Sequence, residues 1–262
     1  MLKKIDNSLD LAQPPSERLT LKEIKNWIKN TFNISVCIET VRKLFKKFNL
    51  SRKKPQFTFL NANKEEQDRF VLLMNALLDL EDIKYGLVDI YFHDETTIRE
   101  TPTKSDVWAY KGSIPLIPIT GGHLKRIISG VIDIRTGDSM FVSDRTFNQF
   151  AFLSFLENFK NKRNGKPTIL VIDNYPSHLT DTIKKFYKEE ESWLTIVQLP
   201  KYSPDFNPIE YIWKYIKNKC CTSRYYENFE TELDVVYDEL DFLESNPEEV
   251  KKQGSTKYYQ LC

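Results

Sequence analysis

The chain has 262 residues, with 38 Lys and Arg against 37 Asp and Glu and a formal net charge of +1. That length can bury a real core as one large domain or as a medium domain with a small one, and 40% hydrophobic with 13% aromatic content excludes a chain that stays unfolded. No run approaches the roughly 18 uninterrupted apolar residues of a membrane span; Met1-Leu2-Lys3-Lys4 leads into no apolar signal region; and Cys37, Cys220, Cys221 and Cys262 form no C-x-x-C pair. A cytoplasmic protein with reduced thiols and no structural zinc is expected.

The near-neutral total hides a split. Residues 1–54 carry 13 basic and 5 acidic groups, net +8, which leaves −7 on the rest. A basic head on an acidic body suggests a polyanion-binding module joined to something else. Within the head, Thr20 and Glu23 stand at capping-box spacing, with Leu19 and Ile24 at the staple positions. Leu21, Ile24 and Ile28 then give one apolar stripe, so residues 21–30 are expected as a helix. Phe32-Asn33-Ile34 breaks it, with Asn33 where a turn needs a positive φ. Val41, Leu44, Phe45 and Phe48 mark one face of a second helix over 38–48, whose other faces carry Arg42, Lys43 and Lys46. Two short helices around a tight turn match the helix-turn-helix, whose second helix enters the major groove of DNA. Arg52, Lys53 and Lys54 continue as a basic arm. The alternative is a helical hairpin with a charged outer face.

Residues 63–80 are expected as a helix with Phe70, Leu73, Met74 and Leu77 as its apolar face. Leu87–Glu95 is a mostly apolar strand ending in acids. Strands at 127–134 and 139–143 flank the turn Arg135-Thr136-Gly137-Asp138. Residues 147–160 are helical and aromatic-rich. The continuous apolar run Thr168–Ile172 is typical of a strand buried on both faces, and it stops at Asp173. A helix near 179–191, a strand at 194–199, a three-proline loop over 200–208 and a helix over 209–219 complete the body. Three strands in a meander, then helix, strand, helix, strand, helix, is the order of an RNase H-like α/β domain with a mixed sheet.

On the last of these helices Ile209, Ile212, Trp213 and Ile216 form the buried stripe. Glu210 lies about 100° from its first member, with Lys214 and Lys217 on the same side. Asp94 and Asp173 both stand where apolar strands finish, so three carboxylates can converge at the strand ends, where ligands of open α/β sheets gather. Such a trio repels itself unless a cation sits between its members. Mg²⁺ takes oxygen ligands, and two ions roughly 3.5–4 Å apart suit phosphodiester chemistry.

The spelling around those acids is more specific than their spacing. Leu199-Pro200-Lys201-Tyr202-Ser203-Pro204-Asp205-Phe206-Asn207-Pro208-Ile209-Glu210-Tyr211-Ile212-Trp213-Lys214 closely resembles the signature of the IS630 group within the IS630/Tc1/mariner transposases. Ile172-Asp173-Asn174-Tyr175-Pro176-Ser177-His178 is similar to that family's second acid block, and Phe92-His93-Asp94-Glu95 to its first. Trp108-Ala109-Tyr110-Lys111-Gly112 is similar to the element after the first strand, and the front helix-turn-helix to the family's second one. The resemblance covers about residues 19–225.

The resemblance implies a DDE transposase with an RNase H-like fold, in which Asp94, Asp173 and Glu210 hold Mg²⁺ or Mn²⁺, two ions in all. It implies cleavage at the terminal inverted repeats of a mobile element and 3′-OH strand transfer into target DNA, usually at TA, by a homodimer on double-stranded DNA. Arg42, Lys43, Lys46, Arg52, Lys53, Lys54, Lys214 and Lys217 are the expected DNA contacts. Asn174 and His178 are supporting residues, His178 either placing the second acid's loop, contacting DNA, or serving as a buried structural group. His93 and Glu95 point away from Asp94 in a strand and are left out of the site.

The expected organisation is a DNA-binding domain over 1–55, a catalytic domain over 56–225 and an acidic helical tail over 226–262, with Phe229, Leu233, Val236 and Leu240 as its stripe. Three departures from the family pattern matter. Relatives carry another helix-turn-helix before this one, and 18 residues precede Leu19 here. Asp173 and Glu210 are separated by 36 residues, slightly more than usual. Cys37 stands where the recognition helix has a Ser-type N-cap. The first of these keeps a non-catalytic DNA-binding regulator, or an inactive truncated transposase, as the alternative.

Overall fold

The computed structural model describes residues 20–51, 61–110, 112–119 and 121–259. The staple residue Leu19, the basic arm Arg52, Lys53 and Lys54, and Lys111 and Cys262 lie outside the described residues. The chain divides into two compact units, Met1–Thr58 and Phe59–Cys262.

In the first unit, α1 spans Leu21–Phe32 and α2 spans Ile38–Lys47. The capping box forms as the spacing predicts: Thr20 Oγ1 accepts from the Glu23 backbone N–H at 3.3 Å, and Glu23 Oε2 accepts from the Thr20 N–H at 2.6 Å. Asn33 ends α1 with φ 54°, a left-handed conformation that Asn tolerates better than most side chains. Ile24, Ile28 and Val41 make the buried centre, with Leu21, Trp27, Phe32, Val36 and Phe45 packed around it. Phe48 departs from the expected stripe. It caps α2 rather than extending it, Asn49 follows with φ 56°, and the ring is exposed. Cys37 occupies the N-cap of α2 with no side-chain capping bond, leaving unmade the bond that a Ser hydroxyl would form there.

The second unit begins with α3 (Lys64–Asp79) and the short α4 (Glu81–Lys84). The buried residues of α3 are Phe70, Met74 and Leu78, whereas Leu73, expected in the apolar face, is exposed. Leu72, Leu73, Leu77 and Leu78 surround the helix too evenly for periodicity to fix its rotation. A five-stranded sheet follows, formed by β1 (Asp89–Arg99), β2 (Lys125–Ile132), β3 (Ser139–Asp144), β4 (Thr168–Ile172) and β5 (Leu194–Gln198), in the order β3-β2-β1-β4-β5. β1, β2 and β3 are an antiparallel meander, while β4 and β5 run parallel to β1. The parallel strands are reached through α5 (Gln149–Arg163) and α6 (Asp181–Glu189). This is the mixed sheet expected of an RNase H-like domain.

Strand alternation sends neighbouring residues of β1 into two cores. Ile90 and Phe92 pack with α3, α7 (Ile209–Ile216) and α8 (Phe229–Ser245). Tyr91 packs with Phe152, Phe155 and Phe159 of α5 and with α6. The stripe Phe229, Leu233, Val236 and Leu240 is buried in the first of these cores, and α9 (Pro247–Gln253) adds Val250. The segment after Tyr226 is therefore part of the body's core and no loose appendage.

Two details bear on function. First, β1 does not stop at its acids. It continues to Arg99 because β2 pairs with it along its whole outer half, from Phe92↔Ile132 to Arg99↔Lys125. Only the parallel pairing stops early, at Phe92↔Val171. Asp94 thus marks the end of the parallel half of the sheet, not the end of its own strand. Second, α7 ends at Ile216, shorter than expected, and passes into a π-type turn over Lys217–Cys221. Among the described residues no helix is long and apolar enough to cross a membrane.

Candidate active site

Asp94 stands two residues past the last rung shared with β4, on the face of β1 turned to α7. Trp213 Nε1 donates to its Oδ2 at 3.1 Å. That approach depends on Gly130, the β2 residue directly opposite Asp94. A Cβ built on Gly130 would come within 2.7 Å of the Trp213 ring and 2.6 Å of Phe141, so only glycine lets the indole lie against the sheet. Asn207, in the proline-rich loop, donates from Nδ2 to the His93 carbonyl at 2.9 Å and pins that loop to β1.

Asp173 directly follows β4, and its Oδ1 accepts from the Tyr175 N–H at 2.9 Å. Glu210 lies in the first turn of α7, where the helix dipole favours a negative charge. Asn174 donates from Nδ2 to the Leu199 carbonyl at 2.6 Å, which ties the end of β4 to the end of β5.

The three acids sense one another. Burial pushes the Asp94 carboxyl well above the usual carboxylate range, and Glu210, Glu95 and Asp173 add to the shift. Glu210 is exposed overall, yet partial desolvation raises its carboxyl; Lys217 opposes that rise, while Asp173 and Asp205 reinforce it. Asp173 behaves differently. Burial works to raise it, but His178 and the Tyr175 N–H outweigh burial and hold it below its ordinary value. Asp94 and Glu210, kept high chiefly by desolvation even though a hydrogen bond with Asp94 draws Glu210 down, stand beside a third acid that stays ionised, a donor set that a divalent cation would relieve. The residues present therefore fit such an ion.

His93 and Glu95 lie on the opposite face of β1, as alternation requires, but they are connected to the site. His178, in a short 3₁₀ turn (Pro176–His178) after β4, is fully buried. Its Nε2 is 3.0 Å from Glu95 Oε1, and its Nδ1 makes an ion-pair contact of 2.7 Å with Asp173 Oδ1, at an angle outside the hydrogen-bond range. Burial alone would lower this imidazole; the two carboxylates overcome it and raise the pKa to about 9. His93, also fully buried and facing the His178 charge, is held well below its ordinary value. Its Nε2 is 3.3 Å from the same Glu95 oxygen. Glu95 and His93 are the residues that sequence reasoning set aside. Strand alternation does put them on the far face, and a loop 83 positions further on supplies the link.

The expected DNA contacts are spread over both units. Arg42, Lys43 and Lys46 are exposed on α2, with Arg42 paired to Glu39 one turn back. Lys214 is exposed on α7, and Lys217 acts on the Glu210 carboxyl. Asp89, another acid of β1, belongs to a separate network at the strand's opposite end, held by Arg163, Lys166 and Arg135.

Residues 89–232, more than half of the chain and the stretch that carries all three acids, match the family model of the DDE superfamily endonucleases. The chain belongs to this superfamily. Residues 15–71 match a winged helix-turn-helix model. Among curated relatives of this DDE protein, the insertion element IS630 39 kDa protein of Shigella sonnei is 26% identical over 140 residues, which are 51% of this chain and 40% of that protein. The transposable element Tcb2 transposase of Caenorhabditis briggsae is 20% identical over 206 residues, 74% of each chain. Among solved structures, the Mos1 transposase paired-end complex with the left transposon end superposes with a TM-score of 0.60 at 16% identity, covering 95% of this chain and 82% of that one. The mariner Mos1 paired-end complex with Mg gives 0.61 at 14% identity, with 97% and 83% covered. At these identities the likeness to DDE transposase structures is one of fold.

Proposed function

We propose that this DDE superfamily member is a transposase, which cuts DNA at the ends of a mobile element and joins the released 3′-OH to target DNA. The reading is supported by the electrostatic influence that Asp173 exerts on both Asp94 and Glu210, and Glu210 on Asp94, although the three acids come from separate elements. The names of the relatives point the same way: an insertion-element protein, a transposase, and a transposase complexed with a transposon end and with Mg.

Asp94, Asp173 and Glu210 would hold Mg²⁺ or Mn²⁺. Bound there, two such ions would activate an attacking oxygen and stabilise the leaving one. The protein's own part is positional. Trp213 and Gly130 fix the Asp94 carboxylate, His178 and the Tyr175 N–H fix Asp173, and Glu210 stands in the first turn of α7, where the helix dipole favours its charge. Arg42, Lys43, Lys46, Arg52, Lys53 and Lys54 would neutralise backbone phosphates at the element ends, with Lys214 and Lys217 doing so beside the acids. TA steps are among the most easily deformed, which gives a preference for TA a physical basis.

A homodimer on DNA belongs to the same reading. Between β1 and β2 the described residues include no helix or strand, and Trp108, Tyr110, Ile114 and Leu116 among them are nearly fully exposed. So much apolar side chain in water marks a surface awaiting a partner.

The test is a strand-transfer assay on DNA ends that flank the gene, with Mg²⁺ or Mn²⁺ and an Asp173→Asn control. Joined products that vanish in the control are expected. Tight binding without cleavage under either metal would leave a DNA-binding regulator instead, and cleavage without joining would leave a nuclease.

A further inference from the structure

Asp173 has a problem of aim. It follows its strand directly, and its side chain is 41% exposed, so χ1 is free to swing unless something rigid holds it. The rigid object beside it is the His178 ring, fully buried and packed on Phe152 at 4.2 Å between centroids, with Phe147 and Tyr175 at 5.6 and 5.9 Å. A ring so enclosed keeps its position but can still flip about χ2. What sets the flip is the group at its far nitrogen, and that group is Glu95.

We propose that Glu95, acting through His178, is a positioning residue for Asp173. Glu95 Oε1 faces His178 Nε2 at 3.0 Å, so Nδ1 is turned to Asp173 at 2.7 Å. Both fixed contacts of Asp173, from Nδ1 and from the Tyr175 N–H, fall on Oδ1, and neither engages Oδ2. On its other side Glu95 lies against the buried His93 ring, whose Nε2 is 3.3 Å from the same oxygen but makes no hydrogen bond to it. Neighbouring residues of one strand thus serve the same site from opposite faces, Asp94 directly and Glu95 through a histidine contributed by the β4 loop. This is the arrangement by which outer-shell carboxylates orient a histidine or an acid next to a metal. The inference rests on Asp173 being a metal-holding residue.

A different use of the same atoms is a separate metal site, because donor atoms of His93, Glu95 and His178 all lie within 4.8 Å of one another. The geometry favours positioning. His178 Nε2, the nitrogen that faces Glu95, donates its hydrogen to that carboxylate at 3.0 Å, so it has no lone pair to offer a cation between them.

The experiment is Mn²⁺ binding to the full chain without DNA, followed calorimetrically and by the Mn²⁺ spin-resonance signal, with thermal unfolding in parallel. Asp173→Asn tests the underlying reading; if it leaves Mn²⁺ affinity intact, Asp173 is not a ligand and the positioning role falls with it. Given that loss, Glu95→Ala is expected to weaken Mn²⁺ by about 10- to 100-fold, and Glu95→Gln, which still accepts from Nε2, to restore most of it. Unchanged affinity in Glu95→Ala overturns the proposal and leaves the three-acid site standing. A Glu95→Gln variant as impaired as Asp173→Asn overturns it too, because Glu95 would then be a ligand. If Glu95→Ala does not fold, His178→Asn makes the same test: its amide keeps a donor near Nδ1 and loses the link to Glu95. Full Mn²⁺ affinity in that variant counts against positioning.

Discussion

Asp94 and Glu95 are consecutive residues of one strand, yet their surroundings differ in kind. Asp94 faces α7, with the Trp213 N–H as its hydrogen-bond donor and other acids as its charged company. Glu95 faces α5 and meets two imidazoles, one of them charged at neutral pH. One face of β1 is therefore a negative field held open, and the other is a compensated ion cluster. Burial raises both carboxyls, but only Glu95 has a positive partner that pulls the other way.

The largest effect should come from removing charge on the open face. Asp94→Asn is expected to reduce strand transfer by more than the roughly 100-fold that outer-shell losses cost, while raising the thermal midpoint of the metal-free protein, because one of three repelling charges is gone. A variant that loses activity and also unfolds earlier would mean that Asp94 is structural. On the compensated face the distinguishing variable is pH. His178 is raised from an ordinary 6.5 to about 9, so the folded state holds its proton more tightly than the unfolded state. Its contribution to stability is complete below about pH 6.5 and is lost as pH rises through about 9, an effect of up to about 3 kcal/mol. Denaturant unfolding of the metal-free protein between pH 6 and 10 should show this decline, and His178→Gln should flatten it.

Between the two faces lies the sheet itself. Gly130→Ala forces a methyl group into Trp213 and Phe141 and is expected to cost about 1–3 kcal/mol by overpacking. Strand transfer should fall with it, since the indole that donates to Asp94 must move. A stability loss with full activity would separate Trp213 from the site. The smallest effect belongs to the other unit: Cys37→Ser supplies the missing cap of α2 and should stabilise the helix-turn-helix by about 0.5–2 kcal/mol, read as a later unfolding transition of that unit.

What could be read from the sequence depended on how local its cause was. The Thr20–Glu23 box, the turn at Asn33 and the stripe of α7 are set by neighbours within one helical turn, and they form as the spacing predicts. Asp173 was visible because a buried strand stops abruptly at it. The extent of β1 was not visible: Thr96-Thr97-Ile98-Arg99 is too polar to announce itself, and it is a strand because β2 supplies partners from 26 to 32 positions away. The rotation of α3 was hidden by leucines on several sides, and the tie from Glu95 to Asp173 by the 83 positions from Glu95 to His178.

The long pairing of β1 with β2 has a mechanical consequence. Past the rung at Phe92 these two strands leave β4 behind and continue as an antiparallel arm, backed by β3 as far as Ile127↔Asp144, with Asp94 at its root and the exposed apolar segment around Trp108 joined to its tip. Hydrogen-bonded ribbon resists stretching far better than free chain does. A tug on that segment is therefore delivered to Asp94 across five residues of strand, as a pull on a handle reaches the bolt.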